Sequence, residues 1–171
     1  MGMKPADFYA FVMQMARQVG LDPRRILLGG DYLGPLTFAS QPEAEAMENA
    51  ETLIREYVLA GFTKIHLDTS MRLASDPPGH PPSETVIAER SAKLCQTAQE
   101  AFAQRSQLKP DSLAPVYVIG SEVPAPGDAR EPEDTVTVTG AMELEYAVEC
   151  FRKAFLGFCA TSLENRFLWG L

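Results

Sequence analysis

The chain has 171 residues, of which 46% are hydrophobic and 22% charged, a composition typical of one globular domain with a hydrophobic core. The formal net charge is −8 at pH 7, and the absence of a basic run argues against nucleic acid or an anionic membrane surface as a partner. No stretch of the sequence approaches the roughly 18 consecutive apolar residues that a membrane span requires.

The first half of the chain alternates predicted helices with short apolar runs. A helix is predicted over about Pro5–Val19, and apolar residues at helical spacing predict its buried face: Phe8, Phe11, Val12 and Met15. A strand is predicted over Arg25–Leu28, followed by a glycine turn that presents Asp31. A second helix opens where Ser40 and Glu43 have the spacing of a capping box, and it ends at Gly61.

The second half repeats this alternation. A second strand is predicted over Lys64–Asp68, and after a proline-rich loop Ser83 is predicted to cap a third helix. A third strand is predicted over Pro115–Gly120, and a fourth helix begins near Thr139. Between them lies a long loop rich in proline, of the kind that often carries functional residues.

Strands that alternate with helices predict an α/β fold built from parallel βαβ units. Three strands leave two open sheet edges, so the pattern indicates an arc of a larger α/β barrel. Each of the three apolar runs ends at an acidic residue: Asp31, Asp68 or Glu122. Because ligands bind at the carboxyl ends of parallel strands, we expect these three carboxylates to converge on one site.

Several segments resemble the GatZ/KbaZ family, the accessory subunits of class II tagatose-1,6-bisphosphate aldolase. The similarity covers about residues 2–155, and the motifs occur in the family's order. The segments that carry it are Gly2–Phe8, Ile26–Pro35, Ala60–Met71, Val86–Arg90 and Val116–Pro124. The resemblance implies a partial TIM-type (β/α) barrel with about three parallel strands and four helices, which we assign to residues 1–156. Residues 157–171 read as a divergent carboxyl-terminal tail.

The resemblance also bears on the chemistry expected at Asp31. Aldol cleavage and epimerisation both require a proton transfer beside a polarised carbonyl, which a carboxylate can perform. Asp31 is therefore the candidate general acid or base, and the alternative is that it caps the turn after Gly30. The family usually has a histidine where this chain has Tyr32, so an imidazole expected to assist Asp31 is missing.

Metal ligands are expected next to Asp31 if the site is complete. His66 and Asp68 are two residues apart on one strand and so face the same way. With Glu122 they form the candidate metal set, for zinc or another divalent ion in the intact family, although we expect no bound metal in this chain. The alternatives are a hydrogen-bonded interior His66, a loop-capping Asp68, and an ion pair between Glu122 and a basic residue.

The preferred interpretation is an accessory subunit that supports a catalytic class II aldolase subunit in ketose-phosphate catabolism. A sugar-phosphate ligand fits this role, whereas nucleic acid and membrane do not. The alternatives are a metal-dependent ketose or ketose-phosphate 4-epimerase and an inactive truncated fragment. Three cysteines without metal-ligand spacing, and an amino terminus without signal-peptide character, indicate a cytoplasmic location.

Overall fold

The computed structural model describes residues 2–119, 141–158 and 167–169. Helices and strands alternate along them, and the prediction of an α/β fold is confirmed. In chain order the elements are α1 (Pro5–Gln18), β1 (Gly29–Leu33), α2 (Glu43–Ala60), β2 (Lys64–Leu67), α3 (Glu84–Leu108), β3 (Val116–Ile119), α4 (Ala141–Phe158) and β4 (Phe167–Trp169). Two short 3₁₀ helices, Pro23–Arg25 and Leu36–Phe38, flank β1.

The strands form one sheet in the order β1-β2-β3-β4, and every pair is parallel. Two of them, β2 and β3, lie where the sequence predicted strands, and β1 lies just beyond its predicted range; β4 is an addition in the segment assigned to the tail. Its three residues are too few to show a hydrophobic period in the sequence. Sequential parallel strands joined through helices are the arrangement of a partial (β/α) barrel.

One face of the sheet packs against the helices. Four strand residues on this face are at most 1% exposed: Ile65, Leu67, Tyr117 and Ile119. They share a single core cluster with apolar residues of α2, α3 and α4. Side chains alternate along a strand, so the intervening residues point to the other side of the sheet. We call this other side the open face; it carries Gly29, Asp31, Lys64, His66, Val116 and Val118.

The first strand lies further along the chain than predicted. It spans Gly29–Leu33 rather than Arg25–Leu28, so the two glycines are strand residues and not a turn. A side chain at Gly30 would come within 2.5 Å of the Leu33 side chain and 2.9 Å of Tyr57. Glycine therefore lets α2 approach β1 closely, and Asp31 lies within the strand instead of after it.

Two helix predictions also need correction. The predicted stripe on α1 is largely exposed: 41% at Phe8, 47% at Phe11 and 43% at Met15, whereas Met13 and Ala16 are buried. The helix docks instead through Pro5, Tyr9, Met13 and Ala16, which also have helical spacing. The predicted capping box at Ser40 is absent, because α2 begins at Glu43 and the Glu43 amide donates to the Ser75 hydroxyl, 3.0 Å away.

Candidate functional site

Asp31 is placed on the open face by an irregularity in β1. Gly30 pairs with Ile65 and Leu33 with Leu67, so two residues of β1 lie opposite one residue of β2. This is a β-bulge, a feature that often redirects side chains beside functional sites. Tyr32 adopts φ 53° there, a left-handed conformation that is uncommon for residues other than glycine. Both Asp31 and Tyr32 are exposed as a result.

Three ionisable side chains meet on the open face. The Lys64 ammonium forms an ion pair with the Asp31 carboxylate, and the His66 Nδ1 lies 3.8 Å from the same carboxylate oxygen. Lys64 and His66 reach this face because they are two residues apart on β2. Lys64 was not among the candidate site residues. The period-two spacing from His66 is the signal in the sequence that could have identified it.

His66 is held as a neutral imidazole. Its side chain is 20% exposed, and burial lowers its pKa below 6.5, an effect that the Lys64 charge reinforces and Asp68 and Asp31 oppose. The Tyr32 amide donates to Nδ1 over a long distance of 3.5 Å. A neutral imidazole that accepts at Nδ1 carries its proton on Nε2, so this nitrogen can donate to a ligand.

Tyr32 packs beside the imidazole. The centroids of the Tyr32 and His66 rings are 5.1 Å apart, with their planes tilted by 48°. The phenol therefore covers one side of His66, while the Tyr32 side chain remains 55% exposed. A side chain at position 32 thus stands next to both Asp31 and His66.

Asp68 follows β2 and is almost fully enclosed, with 3% of the residue exposed. One carboxylate oxygen accepts hydrogen bonds from the Ser70 amide, at 3.2 Å, and from the Ser70 hydroxyl, at 2.8 Å. This is the loop-capping arrangement that the sequence left open as an alternative. Asp68 is close enough to favour protonation of His66, but the described structure shows no direct hydrogen bond between them.

The third predicted carboxylate, Glu122, lies outside the described residues. Within those residues, no three His, Cys, Asp or Glu side chains are arranged so that they could share one metal ion. The metal set of His66, Asp68 and Glu122 therefore stays a prediction.

A large cavity lies at the opposite end of the strands. Its volume is about 670 Å³, and it is lined by residues that precede the strands, among them Ile26, Thr63 and Leu113, together with Arg105 and Lys109 of the α3–β3 region. Ligands of (β/α) barrels bind at the carboxyl ends of the strands. The candidate site is thus the smaller group on the open face and not this cavity.

Comparisons with known proteins find a family that matches nearly the whole chain. Residues 1–167 match the family described as "D-tagatose-1,6-bisphosphate aldolase subunit GatZ/KbaZ-like". The subunit GatZ of Klebsiella pneumoniae subsp. pneumoniae is 46% identical over 156 residues, which are 90% of this chain and 35% of that protein. The GatZ subunit of Salmonella agona is 43% identical over 154 residues, again 90% of this chain and 35% of that protein.

A solved structure shows the same fold. It is described as a "probable tagatose 6 phosphate kinase" from Sinorhizobium meliloti 1021, and it superposes with a TM-score of 0.77 at 35% sequence identity. The match covers 98% of this chain and 36% of that one. This chain thus spans about a third of the length of the relatives it matches. With its family match extending over nearly the whole sequence, the chain belongs to the GatZ/KbaZ-like family of tagatose-1,6-bisphosphate aldolase subunits.

Proposed function

We propose that this chain acts as an accessory subunit of a tagatose-1,6-bisphosphate aldolase in the cytoplasm, supporting the activity and stability of a separate class II catalytic subunit. The observation that carries this proposal is the family match over residues 1–167, together with relatives named as subunits of that enzyme. No helix in the described part of the chain has the length and apolar character needed to cross a bilayer.

The chemistry of the open face supports a role other than independent catalysis. Zinc sites favour several imidazole ligands, and here Tyr32 occupies the position where the resemblance leads us to expect a second histidine. Asp31, the candidate acid or base, is engaged by the Lys64 ammonium. A sugar phosphate is the ligand we propose for this face, since a phosphate oxygen can replace the Asp31 carboxylate as the partner of Lys64.

Co-expression with a catalytic class II tagatose-bisphosphate aldolase subunit tests the proposal. We expect the two chains to co-purify, and we expect the lyase rate and the half-life of the catalytic subunit at 37 °C to rise. The catalytic subunit alone is the negative control, and a full-length GatZ subunit is the positive control. A chain that neither co-purifies nor changes rate or half-life contradicts the accessory role and favours the alternative of an inactive fragment.

A second candidate function is a metal-dependent 4-epimerase acting on ketoses or ketose phosphates. The grouping of Asp31, Lys64 and His66 favours it, because a carboxylate beside cationic and imidazole donors can move a proton next to a polarised carbonyl. The test is turnover of ketose phosphates by the chain alone with added zinc. Asp31→Asn should abolish that turnover, whereas Asp7→Asn, on the exposed surface of α1, should not change it.

A further inference from the structure

The cavity at the amino-terminal ends of the strands is built from segments inside the continuous stretch of residues 2–119. Backbone hydrogen bonds join the loops that precede the strands: the Thr63 amide donates to the Leu28 carbonyl at 2.9 Å, and the Val116 amide donates to the Thr63 carbonyl at 2.8 Å. The volume of about 670 Å³ is that of an ordinary small-molecule site. The walls of this cavity therefore do not depend on the first or last residues of the chain.

The cavity carries positive charge that no carboxylate of the described residues pairs with. Arg105 lies in the last turn of α3 and Lys109 directly follows the helix; both line the cavity, and neither forms an ion pair in the part of the chain that the structure describes. A third cation, Arg24, is paired with Asp22. The lining contains one acidic residue, Asp111. An excess of cations here is notable in a chain whose net charge is −8, and it favours an anionic ligand.

The Arg105 guanidinium is held in place by the end of α2. Its Nη1 donates to the Leu59 carbonyl at 2.5 Å, one of the last carbonyls of that helix. Gly61 lies against the same group, because a side-chain carbon there would come within 2.6 Å of Nη2. A guanidinium has five N–H donors in one rigid plane, so a single bond to Leu59 fixes it and leaves donors for a ligand. A group fixed in this way loses little conformational freedom when an anion binds.

Ser112 adds a donor that the described chain does not use. Its amide donates to the Lys109 carbonyl at 3.0 Å, so the turn after α3 brings the two residues together. Its hydroxyl is buried and has no hydrogen-bond partner among the described residues, although Ser112 itself lines the cavity. A change of its single side-chain rotamer can present the hydroxyl to a ligand. An acceptor bound in the cavity would then satisfy a polar group that is otherwise costly to bury.

Apolar side chains form the rest of the lining. Ile26, Phe62 and Phe102 line the cavity, and so do Leu27 and Leu113, which are 69% and 62% exposed. A ligand whose body is apolar removes part of this surface from water, which favours binding. The lining therefore fits a molecule with an anionic group at one end and an apolar body.

The number of donors indicates which anionic group fits. A phosphate ester offers three terminal oxygens to the guanidinium, the ammonium and the serine hydroxyl, whereas a carboxylate offers two. We propose that this cavity is a second ligand site of the chain, and that it binds a small phosphate ester through Arg105, Lys109 and Ser112. The site lies at the other end of the strands from Asp31 and His66, and it does not rest on the proposed function.

An NMR titration of the backbone amides of the 171-residue chain with phenyl phosphate tests the proposal. We expect the amides of Thr63, Ser112 and Leu113 to shift saturably, on a binding curve different from any seen at Asp31 and Tyr32 on the open face. Phenol, which lacks the anion, and inorganic phosphate, which lacks the ring, should each bind at least about 10-fold more weakly. Benzoate should also bind more weakly than phenyl phosphate.

Two variants assign the donors. Lys109→Gln should weaken the binding of phenyl phosphate about 10-fold, whereas the matched control Lys4→Gln, at the exposed start of α1, should leave it unchanged. Ser112→Ala separates binding from folding. It should weaken binding several-fold while the melting temperature of the free chain stays the same or rises, because the change removes a buried hydroxyl without a partner.

Four results overturn the proposal. The first is a titration in which the cavity amides do not saturate or only open-face amides shift. The second is phenol binding as tightly as phenyl phosphate, and the third is benzoate doing so. The fourth is an equal effect of Lys109→Gln and Lys4→Gln on affinity.

Discussion

Two groups of charged side chains are built in opposite ways: one joins α2 and α3 to the β2–α3 connection, and the other lies on β1 and β2. Arg90 of α3 is 3% exposed, and its guanidinium binds both carboxylate oxygens of Asp76, at 2.6 and 3.0 Å, and Glu43 at 2.9 Å. Lys64 and Asp31 form a single ion pair on the open face, with side chains 37% and 56% exposed. In the first group the guanidinium is enclosed and paired with two carboxylates, whereas both side chains of the second group are accessible.

The difference separates a structural cluster from a candidate site. Arg90 joins the start of α2, the β2–α3 connection and α3, and its hydrogen bonds lower the pKa of Asp76. Asp76 also accepts from the Leu73 amide at 2.8 Å, which closes a turn within the β2–α3 connection. A solvated ion pair contributes little to stability and can exchange partners. Lys64 and Asp31 are therefore free to bind a ligand in a way that Arg90 is not.

The largest expected effect follows from removing Arg90. Arg90→Ala leaves Asp76 without its main partner in an enclosed position, and breaking such a buried pair costs about 3–5 kcal/mol. We expect the free energy of unfolding, measured by urea denaturation at one protein concentration, to fall by about that amount. Substitution of Arg24, whose side chain is 90% exposed although paired with Asp22, is the control and should leave stability nearly unchanged. If both substitutions lowered the free energy of unfolding equally, the enclosed Arg90 would contribute no more to stability than a solvated ion pair.

The next-largest effect on stability is expected where the backbone after β1 closely approaches the backbone after β2. A side chain at Gly34 would lie 1.6 Å from the Asp68 carbonyl oxygen, so the backbone after β1 requires glycine there. Gly34→Ala must displace Asp68, and we expect a loss of about 1–3 kcal/mol or more in stability. Gly157→Ala is the matched control, because that position in α4 has no atom within 4 Å of the added carbon. Its stability should be unchanged or raised by up to about 1 kcal/mol.

Elements defined by strong local patterns were predictable. The apolar runs of β2 and β3 were placed within a residue or so, because burial on the helix side fixes their register. The cap of α3 was also correct: the Ser83 hydroxyl accepts from the Val86 amide at 3.4 Å. In each of these cases the signal lies within a few residues of the element it defines.

Features that depend on distant contacts were not predictable. The start of α2 is stabilised by Ser75, more than thirty residues away, and a local capping motif cannot reveal this. The bulge that exposes Asp31 arises from pairing with β2. On α1 two apolar stripes compete, and only packing against the core decides which is buried. Lys64 could not be identified from its own segment, because its place in the site depends on β1, which brings Asp31 beside it.

A third prediction alters the accessible group directly. The left-handed backbone at Tyr32 accommodates histidine better than most residues, so Tyr32→His should fold. It places a second imidazole beside His66 and Asp31. We expect zinc affinity, measured by calorimetry, to rise at least about 10-fold over the unmodified chain. Tyr32→Phe is the control and should not raise it. Tight stoichiometric zinc binding by the unmodified chain would instead favour the epimerase.

The smallest expected effect is the pH dependence that His66 gives to stability. Burial lowers its pKa in the folded state below the ordinary value of 6.5, so the unfolded chain binds more protons between the two values. The contribution of the neutral imidazole to stability is therefore complete above about pH 6.5, and it is lost as the pH falls through the folded pKa. His66→Gln should remove this slope, whereas His80→Gln, in an exposed loop, should retain it.

The pKa of His66 also reports which neighbouring charges act on the imidazole. Because the Lys64 ammonium lowers the pKa of His66, Lys64→Met should raise that pKa. Asp68 stabilises the protonated form, so Asp68→Asn should lower the pKa further. An NMR titration of the His66 ring protons measures both shifts in the folded chain. A pKa at or above 6.5 in the unmodified chain, or shifts of the opposite sign, would mean that His66 is not enclosed among these charges. The accessible group would then lack the neutral Nε2 donor that His66 offers to a ligand on the open face.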